Sequence, residues 1–238
     1  MNKMFLKYLT ITGADENSDI SKMLDLSIRF PFVEWGILMS ESKQGTDRYP
    51  LMYGKWIVEF RKYVLQKYLN ASFHLCGKIC RDFVNNKFDI YNFLPMDPDM
   101  SRCQLNFNSV NSEFDEKVFI KAIDRFPLTN FIIPYNYSNR DLWKILLKTK
   151  KLNYQVLFDS SGGRGKEVID FPEPLTGLFC GWAGGLGPEN IEKTLNKFYE
   201  RINRGVYWLD MESNVRTDGK LDFDKVEFVL QKAEDFVI

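Results

Sequence analysis

The chain has 238 residues, enough for one barrel-sized domain or two small ones. Hydrophobic residues make up 45%, which supports a sizeable core, and 32 lysines and arginines balance 32 aspartates and glutamates. That balance removes the general electrostatic argument for nucleic acid or an anionic membrane as partner. Four cysteines lie without a C-x2-C pair, so they read as reduced thiols, with no metal expected. No N-terminal apolar run suits a signal peptide and no stretch approaches 18 apolar residues, so the expectation is a cytoplasmic protein without a membrane span.

Strand-like and helix-like segments alternate along the chain. Residues 9–13 read as a first strand, and Ile20, Met23, Leu24 and Ile28 mark a helix after it. Residues 32–39 read as the second strand, followed by a loop to Tyr49 and a helix carrying Trp56, Ile57, Phe60 and Val64. The third strand covers 71–77 and leads to a helix with Ile79 and Phe83. Residues 89–100, rich in Pro and Asp, read as an excursion before a fourth strand at 103–107. Val118, Ala122, Ile123 and Phe126 mark the next helix, and 130–134 a fifth strand closed by Pro134. Residues 138–141 read as a capping box.

The sixth strand, 154–159, ends in Asp159 and precedes a glycine-rich turn with Arg164. The apolar run 178–180 is the seventh strand, followed by a glycine-rich loop containing Gly184 and Gly185. The eighth starts at Tyr207 and ends in Asp210-Met211-Glu212-Ser213-Asn214. Ile191, Leu195, Phe198 and Ile202 form the helix face between them, and Val226, Val229, Leu230 and Ala233 the last one. Eight strand–helix units in this length predict an α/β fold, a closed (β/α)8 barrel, as a single domain over residues 1–238.

Function in such a barrel sits at the C-terminal strand ends. Read that way, Thr12, Glu34, His74, Asn106, Asp159 and the Asp210–Glu212 run are polar groups converging on one mouth. The two late loops expose backbone N–H groups beside helix starts, which favours a phosphate. Arg48, on the loop after the second strand, suits a clamp for a carboxylate or phosphate. Asp159 reads as an acid or base, or as a cap for its turn. His74 reads as a base or a hydrogen-bonded core residue.

These late motifs resemble the phosphoribosylanthranilate isomerase family, a tryptophan-pathway (β/α)8 barrel. The resemblance is strongest from residue 156 to 225. It lies in Phe158-Asp159 with Gly162-Gly163-Arg164-Gly165-Lys166, in the run from Ala183 to Asn190, and in the run from Asp210 to Arg216. It implies that Asp159 is the general acid and that Gly184, Gly185, Ser213 and Asn214 hold the substrate phosphate. Arg48 would meet a substrate carboxylate, while Arg164, Asp210 and Glu212 are expected at the substrate from their own places after strands six and eight. The reaction implied is an Amadori rearrangement of an aminoaldose to an aminoketose, without cofactor.

The family's base is a cysteine ending strand one, and here Thr12 stands in its place. A threonine hydroxyl ionises far above neutrality, so Glu34 or His74 is the expected substitute. The expected partner is a phosphorylated small molecule, with the chain a monomer or homodimer. The alternatives are a non-catalytic phosphate-ligand sensor, or a lyase or hydrolase on the same frame.

Overall fold

The computed structural model describes residues 4–87, 101–107, 109, 114–149, 153–159, 171–200 and 205–237. Eight parallel strands close into a barrel in chain order, with β8 (Gly205–Met211) returning to pair with β1 (Met4–Thr12). Between them run β2 (Val33–Met39), β3 (Asn70–Cys76), β4 (Ser101–Asn106), β5 (Asn130–Tyr135), β6 (Tyr154–Asp159) and β7 (Cys180–Ala183). The α/β barrel expected from the alternation is therefore the fold. Seven α-helices are described: α1 (Ile20–Arg29), α2 (Lys55–Leu65), α3 (Gly77–Val84), α4 (Glu116–Asp124), α5 (Arg140–Leu146), α6 (Ile191–Tyr199) and α7 (Phe223–Ala233). The expected excursion at 89–100 and the turn carrying Arg164 lie outside the described residues.

Three helices start where an aspartate stops them. Asp19, Asp115 and Asp222 each accept backbone N–H groups two and three residues ahead, satisfying donors that have no partner within the helix. At α5 the expected capping box at 138–141 does not form. Asn136 instead accepts the Asn139 N–H, and a short 3-10 turn, Tyr137–Asn139, precedes the helix.

Two strands differ in extent from their sequence reading. β1 begins at Met4, five residues before its sequence reading, and its pairing with β8 carries a register shift between Leu6 and Tyr8. Leu6, Leu9 and Ile11 are all fully buried, yet the shift puts three positions between the first two, which hides the two-residue period. β7 runs one turn of the pleat beyond the apolar run 178–180, through Gly181-Trp182-Ala183.

Gly181 belongs in the strand because the barrel interior there is filled by Trp208. A Cβ on residue 181 would fall 2.0 Å from the Trp208 ring. Trp208 forms a small inner cluster with Ile132 and Leu157, while the larger core lies between the barrel and the helices. Because both groups are locked in the barrel wall, Gly181→Ala should destabilise the fold by about 2–3 kcal/mol, read as a lower urea midpoint at unchanged slope. An unchanged midpoint would mean that the ring moves aside freely.

Below Trp208 the barrel interior is polar. Arg102 donates to both carboxylate oxygens of Glu34, at 2.7 and 2.9 Å, and through Nε to Gln155 at 2.9 Å. Thr10 donates to Glu34 at 2.8 Å, and the guanidinium lies 4.3 Å from the Trp208 ring centre. Glu34 is the second residue of β2, level with Asn70 at the start of β3. The expectation that Glu34 stands at the catalytic mouth is thus corrected. It faces the interior at the N-terminal end of the barrel, one or two layers below the strand ends, and is spent on a buried ion pair.

Candidate active site at the C-terminal mouth of the barrel

A cavity of about 840 Å³ opens where the strands end. Thr12, His74, Asp159 and Asp210 line it, as do Arg48, Glu212, Gly184, Gly185, Ser213 and Asn214. Of the eleven expected site residues other than Arg164, ten line this cavity and Glu34 does not.

Asp210 is a strongly perturbed carboxyl in the cavity. It pairs in register with Ala183 of β7, which pairs with Asp159 of β6, so the two carboxylates stand at one level on either side of Ala183. Neighbouring strands are about 4.8 Å apart, which separates their Cα atoms by roughly 10 Å. Burial pushes the Asp210 carboxyl up to about 7, with the charges of Glu212, Glu34 and Asp159 adding to the rise. Thr12 opposes it by donating from Oγ1 to Asp210 Oδ1 at 2.7 Å. Thr12 is therefore not a base but the donor that steadies a carboxylate. Its close fit is imposed by Gly36 on β2, where a Cβ would fall 2.2 Å from the threonine hydroxyl oxygen.

His74 reaches the cavity wall, but its ring is bound within its own strand. Nε2 lies 3.0 Å from Ser72 Oγ. Burial and the nearby Arg102 charge push its pKa down to about 3, so the imidazole is neutral at physiological pH. A buried ring held neutral in this way is a weaker proton acceptor than an ordinary imidazole. Cys76, next on the same face, donates to the His74 carbonyl at 3.4 Å and accepts from Asn106 at 3.3 Å. Burial raises its thiol, so no thiolate stands in for the strand-one cysteine there.

The loops after β7 and β8 are fastened to each other. Asn214 and Asn190 both donate to the Gly185 carbonyl, at 2.7 and 2.9 Å, and Gly187 packs so tightly that a Cβ would lie 2.4 Å from that of Asn214. Gly184 and Gly185 take φ of 131° and 62°, a backbone conformation that favours glycine at both positions. Among the described residues, the backbone N–H groups of Gly184, Gly185, Ser213 and Asn214 donate to no protein acceptor. These four N–H groups lie on two loops fastened to each other, an arrangement that suits an anion.

On the loop after β2 Arg48 is held by its backbone, at φ 65°, with its N–H donated to Asp15 at 2.6 Å. Its guanidinium pairs with Glu212. Arg216 sits beneath, donating to the Gly13 carbonyl at 2.5 Å and to Gly219, with Asp15 3.5 Å away. Gly13 is needed at this crossing, since a Cβ would lie 3.0 Å from Arg216 and 3.1 Å from the Arg48 Cβ.

The sequence reading missed Gln104, Asn136 and Ser138, which line the wall formed by β4 and β5. Alternation along Arg102-Cys103-Gln104-Leu105-Asn106 would have placed Gln104 inward with Asn106. Asn136 and Ser138 follow the strand in a loop, where no period points to a face.

The sequence profile of the N-(5'-phosphoribosyl)anthranilate isomerase family matches residues 113–232. No curated protein sequence matches the chain. Among solved structures, phosphoribosylanthranilate isomerase from Pyrococcus furiosus superposes with a TM-score of 0.56 at 15% identity, covering 96% of this chain and 98% of that one. The enzyme from Thermococcus kodakaraensis gives 0.54 at 13% identity, covering 97% and 100%. The 3-hexulose-6-phosphate synthase of Salmonella typhimurium gives 0.51 at 9% identity, covering 96% and 99%. At these identities the superpositions speak for the barrel alone, whereas the profile spans half the chain and includes β6, β7, β8 and the loops after β7 and β8. The chain belongs to the N-(5'-phosphoribosyl)anthranilate isomerase family, in a branch with threonine where the strand-one cysteine would be.

Proposed function

We propose that the protein is an acid–base isomerase of phosphorylated aminoaldoses, with Asp159 as general acid and Asp210 as base. The observation that carries this reading is the placement of two carboxylates at one level of the barrel, beside four free backbone donors. The phosphate would sit on the N–H groups of Gly184, Gly185, Ser213 and Asn214, which directs the sugar across the mouth toward β6 and β8. Asp159 gives a proton to the ring oxygen, the C1–O bond breaks, and the nitrogen lone pair forms the C1–N double bond. Asp210 as carboxylate then takes the C2 proton, and the electrons of that bond shift to give the enolamine. Tautomerisation yields the aminoketose, so no atom is gained or lost.

A carboxylate raised to about 7 is a stronger base than an ordinary aspartate and is still half ionised at neutral pH. Asp210 can thus do what Thr12 cannot, and Thr12 sets its position. Arg164, five residues after Asp159 in sequence, belongs to this reading as a substrate contact.

The test uses N-(5'-phosphoribosyl)anthranilate, whose fluorescence is lost on isomerisation. Asp159→Asn should lower kcat/KM by about 10²–10⁴-fold and leave the binding of ribose 5-phosphate within about twofold of wild type. Joint loss of turnover and of ribose 5-phosphate binding would make Asp159 structural. Binding with no turnover by wild type would instead support a phosphate-ligand sensor.

A further inference from the structure

We infer that the barrel carries a second binding site at its N-terminal end, built around Arg102, for a small monocarboxylate with an apolar body. The inference is independent of the isomerase reading, because this site lies at the other end of the strands and shares no residue with the mouth.

A separate cavity of about 470 Å³ opens there, with walls that include the first or second residues of β2, β3, β4, β5, β6 and β8. Arg102 is the buried cation of these walls, with only 6% of its surface exposed. Its Nη1 is taken by both oxygens of Glu34 and its Nε by Gln155. Its Nη2 is buried and has no acceptor among the described residues. The Gln155 side-chain nitrogen, on the same wall, donates to no described acceptor either. A buried donor on a charged group that lacks an acceptor costs free energy, and a ligand oxygen would recover it.

The charge around this donor favours an anion. Lys7 and Lys67 line the same cavity, both exposed and neither in an ion pair among the described residues. The carboxylate on these walls is Glu34, which is already paired with Arg102. Because Glu34 draws on the Arg102 charge, a single negative charge is matched better than a doubly charged phosphate. Two carboxylate oxygens can accept from Arg102 Nη2 and from the Gln155 amide together. Leu69, Ala71, Phe179 and Val206 supply apolar wall for the rest of the ligand. The Tyr8 and Phe179 rings lie 5.2 and 5.4 Å from the guanidinium, and both are half-buried. The carboxylate reaches Nη2 by turning these rings aside.

Phenylacetate is the probe, titrated into the isotope-labelled full chain and followed through the side-chain amide signals of Gln155 and Asn130 by NMR. Ribose 5-phosphate is added first to fill the mouth. Phenylacetate should shift both signals saturably. Its uncharged counterpart 2-phenylacetamide should bind at least about tenfold more weakly, the scale of one charge-assisted contact. Lys7→Gln with Lys67→Asn, asparagine suiting the φ of 64° at residue 67, should weaken phenylacetate by about three- to tenfold. Gln155→Glu keeps the acceptor for Arg102 Nε and turns the free donor into a negative charge. It should abolish the Asn130 shift without lowering the urea midpoint. If that variant does not fold, Glu34→Leu with Arg102→Met removes the guanidinium without stranding a charge and should abolish the shift instead. Equal binding of acid and amide overturns the inference, because the cavity would then be an apolar cleft. So does the absence of any saturable shift, phenylacetate binding that survives Gln155→Glu, or inorganic phosphate moving the same signals at lower concentration. Failure of ribose 5-phosphate to bind would count against the mouth and the isomerase reading alone, since the amide signals report the N-terminal end.

Discussion

Asp210→Asn should lower kcat/KM by about 10²–10⁴-fold, because the amide keeps the shape of the carboxylate but cannot accept the C2 proton. In the wild type the rate should rise with pH through about 7 as Asp210 ionises, and the variant should lose that limb. The same substitution changes stability in a way that activity cannot mimic. The folded Asp210 keeps a proton that the unfolded chain, at 3.8, has released, so its contribution is present below about pH 4 and is lost as pH rises to about 7. His74 works in the opposite sense. Its folded value of about 3 lies below the unfolded 6.5, so its contribution is present above 6.5 and is lost as pH falls toward 3. The two slopes oppose each other between about pH 4 and 6.5. Removing the Asp210 carboxyl should therefore leave a variant whose stability, relative to wild type, falls toward acid by about 1.4 kcal/mol per pH unit across that window. Urea unfolding at pH 4.5, 5.5 and 6.5 reads this directly, and parallel profiles for the two proteins would show that Asp210 titrates as an ordinary carboxylate.

The barrel was legible because each unit repeats one pattern, an apolar strand followed by an amphipathic helix with a turn between. The placement of Gly184, Gly185, Ser213 and Asn214 at the mouth was legible too, since glycines and polar residues after an apolar strand mark a loop at its C-terminal end. Depth was not. Glu34 and Trp35 open an apolar strand, and alternation says only that one of them faces inward. Which layer of the barrel that residue enters depends on the stagger between β1, β2 and β3, and no local pattern carries that. The partner that makes Glu34 structural, Arg102, is 68 residues away on β4 and adjoins the stretch 89–100. The roles of Thr12 and Asp210 were hidden for the same reason. Their hydrogen bond joins the first and last strands, 198 residues apart, and exists only once the barrel closes. Hence the sequence pointed to a missing base at Thr12 without showing that the carboxylate beside it had been raised into a base's range.

Glu34→Ala should cost about 3–5 kcal/mol of stability, the largest loss expected from any single change to the barrel interior. The pair is shut away, with side chains only 2% and 8% exposed, so deleting the carboxylate strands the Arg102 charge among Trp208, Tyr8 and Phe179. Gln155 would be its remaining side-chain acceptor, while Nη2 already lacks one in the wild type. The charge itself, more than the lost contact, sets the cost. Glu34→Leu with Arg102→Met should for that reason recover most of the stability, since apolar groups of similar volume need no partner there. Both proteins should be compared with wild type by urea unfolding at pH 7. Glu34→Gln, which keeps two acceptor and donor positions, should still turn over the phosphorylated aminoaldose where it is folded. Its pH–rate limb should move slightly lower, because the Glu34 charge helps raise Asp210. A loss of turnover as large as that of Asp210→Asn, in a Glu34→Gln protein of normal stability, would return Glu34 to the chemistry. Stability unaffected by Glu34→Ala would mean that water reaches the N-terminal end of the barrel and solvates Arg102 without its partner.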